Sequence, residues 1–242
     1  MSFYSSFATY YESVFPFSQP VYDFLRRTLP PSPATVLDIG CGTGHYAGAL
    51  AKDGFDATGI DLDPAMVAYA REHYPAATFH TLDMRAITTL GGTFAAAFCI
   101  GNTAAHLPRA AFTRFLDDVR EAVAPGGSWV LQVMNWDYVL TQTTVALPLI
   151  TAEGNGNAGA GDAVVFERHY RDISAERVTF HTRLLVEGVE IFADATPLYP
   201  LPSAEIIALH TAHGFRLMAH QGSYGGAPFD PAQFSANIFA FA

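Results

Sequence analysis

Between Thr35 and Met134 short β-rich runs alternate with helical patterns, and that rhythm restricts the fold more than any other feature of the chain. TVLDI, DATGI, TFHTL, FAAAFCI and SWVLQVM are the strand candidates, apolar and rich in β-branched and aromatic residues. HYAGALAKDG, DPAMVAYAREHY and RAAFTRFLDDVREAVAPGG, which lie between them, read as helices. Asp63 is placed to cap the second with Pro64 in its first turn, and Pro125-Gly126-Gly127 stops the third. Strand, helix, strand in repeated order needs crossover connections, which build a parallel sheet covered by helices on both faces. The expected fold is a doubly wound α/β domain.

After Met134 the rhythm breaks. Glu153 to Asp162 is a Gly/Asn-rich stretch that reads as a mobile loop. AVVFERHYRDI, ERVTFHTRLLVEG and VEIFADATPLYPL follow, alternating β-branched and aromatic residues between turn signals, as an antiparallel set would. Ser203 is placed to cap a helix over AEIIALHTAHGF that ends at Gly214, and RLMAHQ and SANIFAFA close the chain as strands. A helix and two strands thus follow the antiparallel set, which makes it an insertion into the α/β domain after the fifth strand. The expected division is an N-terminal helical or lid segment over 1–33, a binding core over 34–136, the insertion over 137–200, and the last helix and strands over 201–242.

Half of the 242 residues are apolar and 15% are charged, so a disordered chain is excluded and a sizeable core is available. A formal net charge of −10 argues against unspecific binding to nucleic acid or to an anionic membrane, both of which need a basic surface. Neither Cys41 nor Cys99 belongs to a metal-ligand or CxxC pattern, and His210 with His213 lack a third ligand, so no metal is expected. Free thiols, no basic leader and no membrane-length apolar run make a cytoplasmic protein the expectation.

The stretch VLDIGCGTGHYAGAL carries the chemistry. A strand ends near Asp38, a loop places Gly40, Gly42 and Gly44 at alternate positions, and a helix begins. Such glycines let backbone approach a ligand beyond the carboxyl ends of parallel strands, though tight packing alone is the bland alternative. A dinucleotide-binding turn wants GxGxxG, and its last position is His45 here; a phosphate loop fails because no Lys-Ser/Thr follows. Asp61 ends the second strand, where a carboxylate can accept two ribose hydroxyls, and Asp83 ends the third, where it can accept from an adenine amino group. Either aspartate alone is as well explained by a strand end or a cap; three such features on consecutive strands are not.

VLDIGCGTG, GIDLDPAMVAYA, TLDM and LDDVREAVAPGGSWVLQV together resemble the class I S-adenosylmethionine-dependent methyltransferases, in family order and spacing. The resemblance implies a mainly parallel seven-stranded Rossmann-like sheet and S-adenosylmethionine as cofactor. It implies that Gly40, Cys41 and Gly42 pass under the methionine part, that Asp61 binds ribose and that Leu62 packs on adenine. Asp83 with Met84 would read the adenine edge, and Asp38 would hold the loop or the amino group. Met66, Ile100 and, from the front segment, Tyr11 are counted with these cofactor-binding residues. CIGNTAAHLP, MNWDYVL and LYP are similar to segments of the glycine/sarcosine N-methyltransferase group, with Trp136 standing where that group has Tyr. By that likeness Asn135 touches substrate and Tyr199 projects into the pocket.

Methyl transfer is an in-line displacement, and holding two partners in line away from water supplies most of the acceleration. A neutral amine needs only its lone pair, whereas a hydroxyl usually needs a base. Asn102, after the fourth strand, either orients substrate or supplies a turn. His106 either takes a proton or caps the helix after Pro108, and Asn135 either orients substrate or caps the helix WDYVL. Arg168 and Tyr170 alternate onto one face and can clamp a carboxylate if that face covers the site; a solvated outer face is the expectation for Arg168 and Arg183. The aromatics around Tyr4, Tyr10 and Tyr11 read equally as core or as a lid. The sequence therefore predicts methyl transfer to a small molecule, with an amine favoured. A carboxylate or phenol O-methyltransferase and a non-catalytic S-adenosylmethionine-binding protein are the alternatives. Nucleic-acid and membrane partners are not expected, and self-association is compatible with the chain.

Overall fold

The computed structural model describes residues 10–153 and 163–242, so the Gly/Asn-rich stretch from 154 to 162 and Tyr4 lie outside the described residues. Five parallel strands form the centre: β1 (Thr35–Ile39), β2 (Asp56–Asp61), β3 (Thr78–Thr81), β4 (Phe94–Cys99) and β5 (Val123–Met134). β11 (Leu217–Gln221) and β12 (Ala236–Phe241) extend it antiparallel, giving the order β11-β12-β5-β4-β1-β2-β3. The seven-stranded, mainly parallel sheet is the expected one.

Helices α1 (Tyr11–Val14) and α2 (Gln19–Thr28) precede the sheet. Among those that follow, α3 (His45–Lys52), α4 (Pro64–His73) and α5 (Arg109–Ala122) are the crossovers, with 3₁₀ turns at Met84–Leu90 and Thr103–His106. α4 starts as its sequence dictates: the Asp63 side chain accepts from the backbone N–H of Ala65 and Met66, with Pro64 beside it where an N–H has no helical partner anyway. α5 buries Phe112, Phe115, Leu116 and Val119, a three-four spacing that puts all four on one stripe against Trp129 and Leu131 of β5. Each such side chain contributes about 1.5–3 kcal/mol on burial. On the opposite face Leu25, Leu50 and Val67 pack against Val36, Phe98 and Val130.

α5 ends at Ala122, earlier than the Pro-Gly-Gly stop, and Val123–Gly127 already belongs to β5. Ala124 precedes Pro125 and is biased to extended backbone, and the pairing with β4 absorbs the change through a register shift between Phe94 and Ala96. The inserted antiparallel sheet orders β10 (Val189–Leu198), β9 (Val178–Val186), β8 (Ala163–Arg171) and the short β6 (Val145–Ala146), with β7 (Ile150–Glu153) also on β8. β6 and β7 are additions to the three expected strands. Two helices flank the insertion, the single turn α6 (Trp136–Val139) and α7 (Ser203–Ala212). Ser203 does not cap α7; Pro202 holds the cap position, and the backbone N–H and hydroxyl of Ser203 both donate to Asp137. Gly214 follows that helix with φ +81°, as a terminating glycine should.

Candidate active site

The strand order reverses between β1 and β4, so the loops leaving their carboxyl ends diverge and open a crevice. A cavity of about 870 Å³ lies there, roofed by the inserted sheet. Asp38, Gly40, Cys41, Gly42, Asp61, Leu62, Met66, Asp83, Met84, Ile100, Tyr11, Asn102 and His106 all line it.

The glycine loop is tied down by backbone. The N–H groups of Gly40 and Cys41 both donate to the Ile60 carbonyl (2.8 and 2.9 Å), which pins the loop to the end of β2. Gly42 has φ +55°, and a Cβ there would meet the Tyr11 ring at 3.2 Å, so only glycine fits without strain. Its N–H donates to Asp61 Oδ2 while the N–H of Asp63 donates to Oδ1, each at 2.9 Å. Asp61 is thus fixed by two backbone donors, and each oxygen keeps a second lone pair.

The electrostatics favour a cationic ligand. Asp38 is 3% exposed, and burial followed by the charge of Asp61 pushes its carboxyl well above the usual carboxylate range. Burial also raises Asp61, against the backbone hydrogen bonds from Asp63, Gly42 and Leu62. A positive group placed beside this pair would favour the ionised form of each. Asp83, at the other edge, is held low by the Arg85 guanidinium, which forks onto both its oxygens, and by the Arg85 N–H at 2.9 Å. Leu62 is 68% exposed although it lines the cavity, an apolar surface open to a flat ring. The Nδ1 of His45, on the same lining, is buried with no hydrogen-bond partner among the described residues. A cradle only glycine can form, aspartates poised for a cation and apolar walls all fit S-adenosylmethionine.

Asn102 does two things at once. It adopts φ 65°, a turn conformation, and its Oδ1 accepts from the Met134 N–H at 2.9 Å, which fastens the loop after β4 to the end of β5. The cap position of α5 is Pro108, with no side-chain bond; His106 lines the cavity, and burial lowers its pKa.

Two expected substrate residues lie elsewhere. Asn135 is fully buried and absent from the lining; its Oδ1 caps α6 at Tyr138 N–H, and its Nδ2 donates to the carbonyls of Asp230 and Gln233. Tyr199 is also absent from the lining, and its backbone N–H donates to Ala105 at 2.8 Å. The roof settles the face of Arg168 and Tyr170, which the sequence left open, and adds Phe166, Phe180 and Leu198, which it missed. Phe166, Arg168 and Tyr170 of β8, Phe180 of β9 and Leu198 of β10 all line the cavity. Arg168 is therefore not on a solvated outer face, whereas Arg183 is, paired with Glu190 and Glu167. Alternation had put Arg168 and Tyr170 on one face; what that face covers is a long-range fact. α1 unites both readings of the front segment, since Tyr11 and Phe15 line the cavity and also pack with Val14, Met66 and Phe166.

A family model described as a methyltransferase domain matches residues 36–127. The chain is 34% identical over 125 residues to the glycine N-methyltransferase of Oryctolagus cuniculus, an alignment covering 44% of this chain and 42% of that protein. The chain thus spans less than half the length of that relative. It is 27% identical over 209 residues to the dTDP-3-amino-3,4,6-trideoxy-alpha-D-glucopyranose N,N-dimethyltransferase of Streptomyces venezuelae, covering 84% of each. An S-adenosylmethionine-dependent methyltransferase from Clostridium acetobutylicum ATCC 824 shares the fold, with TM-score 0.78 at 13% identity over 99% of this chain and 98% of that one. With the domain match laid over the strand order and the glycine loop, residues 36–127 are those of a methyltransferase domain, and the chain shares the fold of S-adenosylmethionine-dependent methyltransferases.

Proposed function

We propose that this chain transfers a methyl group from S-adenosylmethionine to an amine nitrogen of a small molecule. The observation that carries the reading is a single cavity, about 870 Å³, with the glycine loop, Asp61 and Asp83 on one part of its wall and Asn102, His106 and an aromatic roof on another. That volume suits a cofactor and a small acceptor together. When bound, S-adenosylmethionine supplies a methyl group on a positively charged sulfur. Asp61 holds the ribose hydroxyls through its remaining lone pairs, and Leu62, Met66 and Met84 wall the adenine. Asp83 accepts from the adenine amino group, and Asp38 faces the cationic end of the cofactor. Tyr11 lies over Gly42 and keeps water from that side.

An acceptor held between Asn102, His106 and the roof would take the methyl group on its nitrogen, and solvent or His106 would take the proton that the ammonium product loses. Phe15, Phe166, Tyr170 and Phe180 line this part of the cavity, and aromatic rings there favour a cationic product. Relatives named as methylating glycine and amino sugars on nitrogen support an amine over a hydroxyl. One observation favours a hydroxyl acceptor: His106, a residue able to take a proton, lines the cavity.

Calorimetry with S-adenosylhomocysteine tests the cofactor site. Asp61→Ala removes both ribose contacts, each about 1.5–3 kcal/mol as bonds to a charged group, so affinity falls roughly a hundredfold or more. Unchanged affinity would sink the assignment. Incubation with methyl-labelled cofactor and a metabolite extract then yields a labelled small molecule; no labelled product defeats catalysis. His106→Ala leaves amine methylation largely intact and abolishes transfer to a hydroxyl.

A further inference from the structure

One positive charge in the cavity has no ion-pair partner among the described residues. Among the described residues, Arg168 is the one Lys or Arg that lines it, against Asp38, Asp61, Asp63 and Asp83. All four carboxylates come from the ends of β1, β2 and β3 or the turn after β2, whereas Arg168 comes from the middle of the roof strand β8. None of the ion pairs among the described residues includes it. One Nη donates to the Pro148 carbonyl at 2.9 Å, and Nε is buried with no hydrogen-bond partner among the described residues. The guanidinium carbon lies 5.7 Å from the ring centroids of both Phe15 and Phe166, which steadies the charge without using an N–H donor.

A half-buried guanidinium with an unsatisfied N–H is costly, and a ligand that completes it recovers that cost. The fork of Nε–H and Nη–H matches two oxygens of a carboxylate or phosphate and is poorly matched by an amine, which brings a single lone pair at most. The aspartates of the opposite wall meanwhile repel an anion, which leaves Arg168 as the cavity's anion-seeking group. Resting on the methyl-transfer reading above, we infer that the acceptor carries an anionic oxygen group, carboxylate or phosphate, in addition to its nucleophilic nitrogen, and that Arg168 selects it.

The full chain saturated with S-adenosylhomocysteine is titrated by calorimetry at constant ionic strength with acetate, inorganic phosphate or pyrophosphate, and with chloride as control. At least one oxyanion binds saturably in the wild type, at least tenfold more weakly in Arg168→Gln and with intermediate affinity in Arg168→Lys. Acetate binding best identifies a carboxylate-bearing acceptor; phosphate or pyrophosphate binding best identifies a phosphorylated one. No saturable oxyanion in the wild type, or equal affinity in Arg168→Gln, overturns the inference. S-adenosylhomocysteine affinity separates the possibilities. If the wild type does not bind it, the cofactor reading fails. If Arg168→Gln stays folded by circular dichroism yet loses it, the guanidinium serves the cofactor's own carboxylate and the inference falls. Should Arg168→Gln not fold, the same comparison is read from Arg168→Lys, where unchanged oxyanion affinity overturns it.

Discussion

His210 illustrates how one buried side chain fixes both a packing arrangement and a pH response. Its Nε2 accepts from the Trp129 indole N–H at 3.0 Å, its Nδ1 donates to the Ile206 carbonyl at 2.7 Å, and its ring stacks on Phe241 with centroids 3.9 Å apart. Both nitrogens are used by the neutral form, and a proton on Nε2 would face another donor. Burial pushes its pKa from 6.5 down to about 4. The folded value lies below the unfolded one, so the unfolded chain binds the proton first, and the stabilisation is full above about pH 6.5 and lost as pH falls toward 4. Urea unfolding of wild type and His210→Phe should show the wild type more stable at pH 7 by about 1–3 kcal/mol, the cost of an unpaired indole N–H. That advantage should shrink on acidification, by up to about 1.4 kcal/mol per pH unit. A gap that stays constant from pH 7.5 to 4.5 would mean that His210 does not titrate with unfolding.

Asn135 belongs to the scale of elements, because it joins three of them. It follows directly on β5, caps α6, and through its Nδ2 and its backbone N–H, which donates to the Ser235 carbonyl at 3.0 Å, holds the segment that leads into β12. Asn135→Ala leaves Asp230 and Gln233 carbonyls and the Tyr138 N–H without that partner, a loss of about 1–3 kcal/mol that lowers the melting temperature by several degrees. S-adenosylhomocysteine affinity should not move, since the residue is not on the cavity lining; an unshifted melting curve with lost methyl transfer would return it to the substrate site. The same residue marks the limit of what the sequence makes legible. β1 to β5 and the glycine loop are readable because apolar period and Gly/Pro punctuation are local signals. Asp61 and Asp83 follow, since strand ends carry them to one edge. Where Asn135 points is decided by carbonyls near position 230, and Tyr199 is set by its backbone bond to Ala105. β6, two residues long, has no period to read. Alternation sorts Arg168 to a face of β8, but only the packing of the insertion over the strand ends makes that face the roof.

At the scale of the whole molecule, α1 is where the two sheets meet over the cavity. Tyr11 lies on the glycine loop, Val14 and Phe15 pack with Met66 of α4 and Phe166 of the roof, and Glu12 accepts from the hydroxyls of Tyr69 (3.3 Å) and Tyr74 (2.9 Å) on and just after α4. A four-residue helix has little stability of its own, so its position depends on these tertiary contacts. Apolar packing with the roof and the two tyrosine bonds to one carboxylate therefore act together as a latch across the cofactor cleft. Removing the bonds in the Tyr69→Phe/Tyr74→Phe double variant leaves the rings and the packing in place while freeing α1 to open. A bond to a charged group is worth about 1.5–3 kcal/mol at most, and these are partly exposed, so release of bound cofactor should quicken by roughly three- to tenfold. Stopped-flow displacement of S-adenosylhomocysteine measures it directly. Unfolding free energy should change little, because the latch closes a local segment and contributes little to the sheet core. Glu12→Gln, which keeps the shape and loses the charge, should fall between wild type and the double variant. Release rates identical in all three would show that cofactor leaves without moving α1.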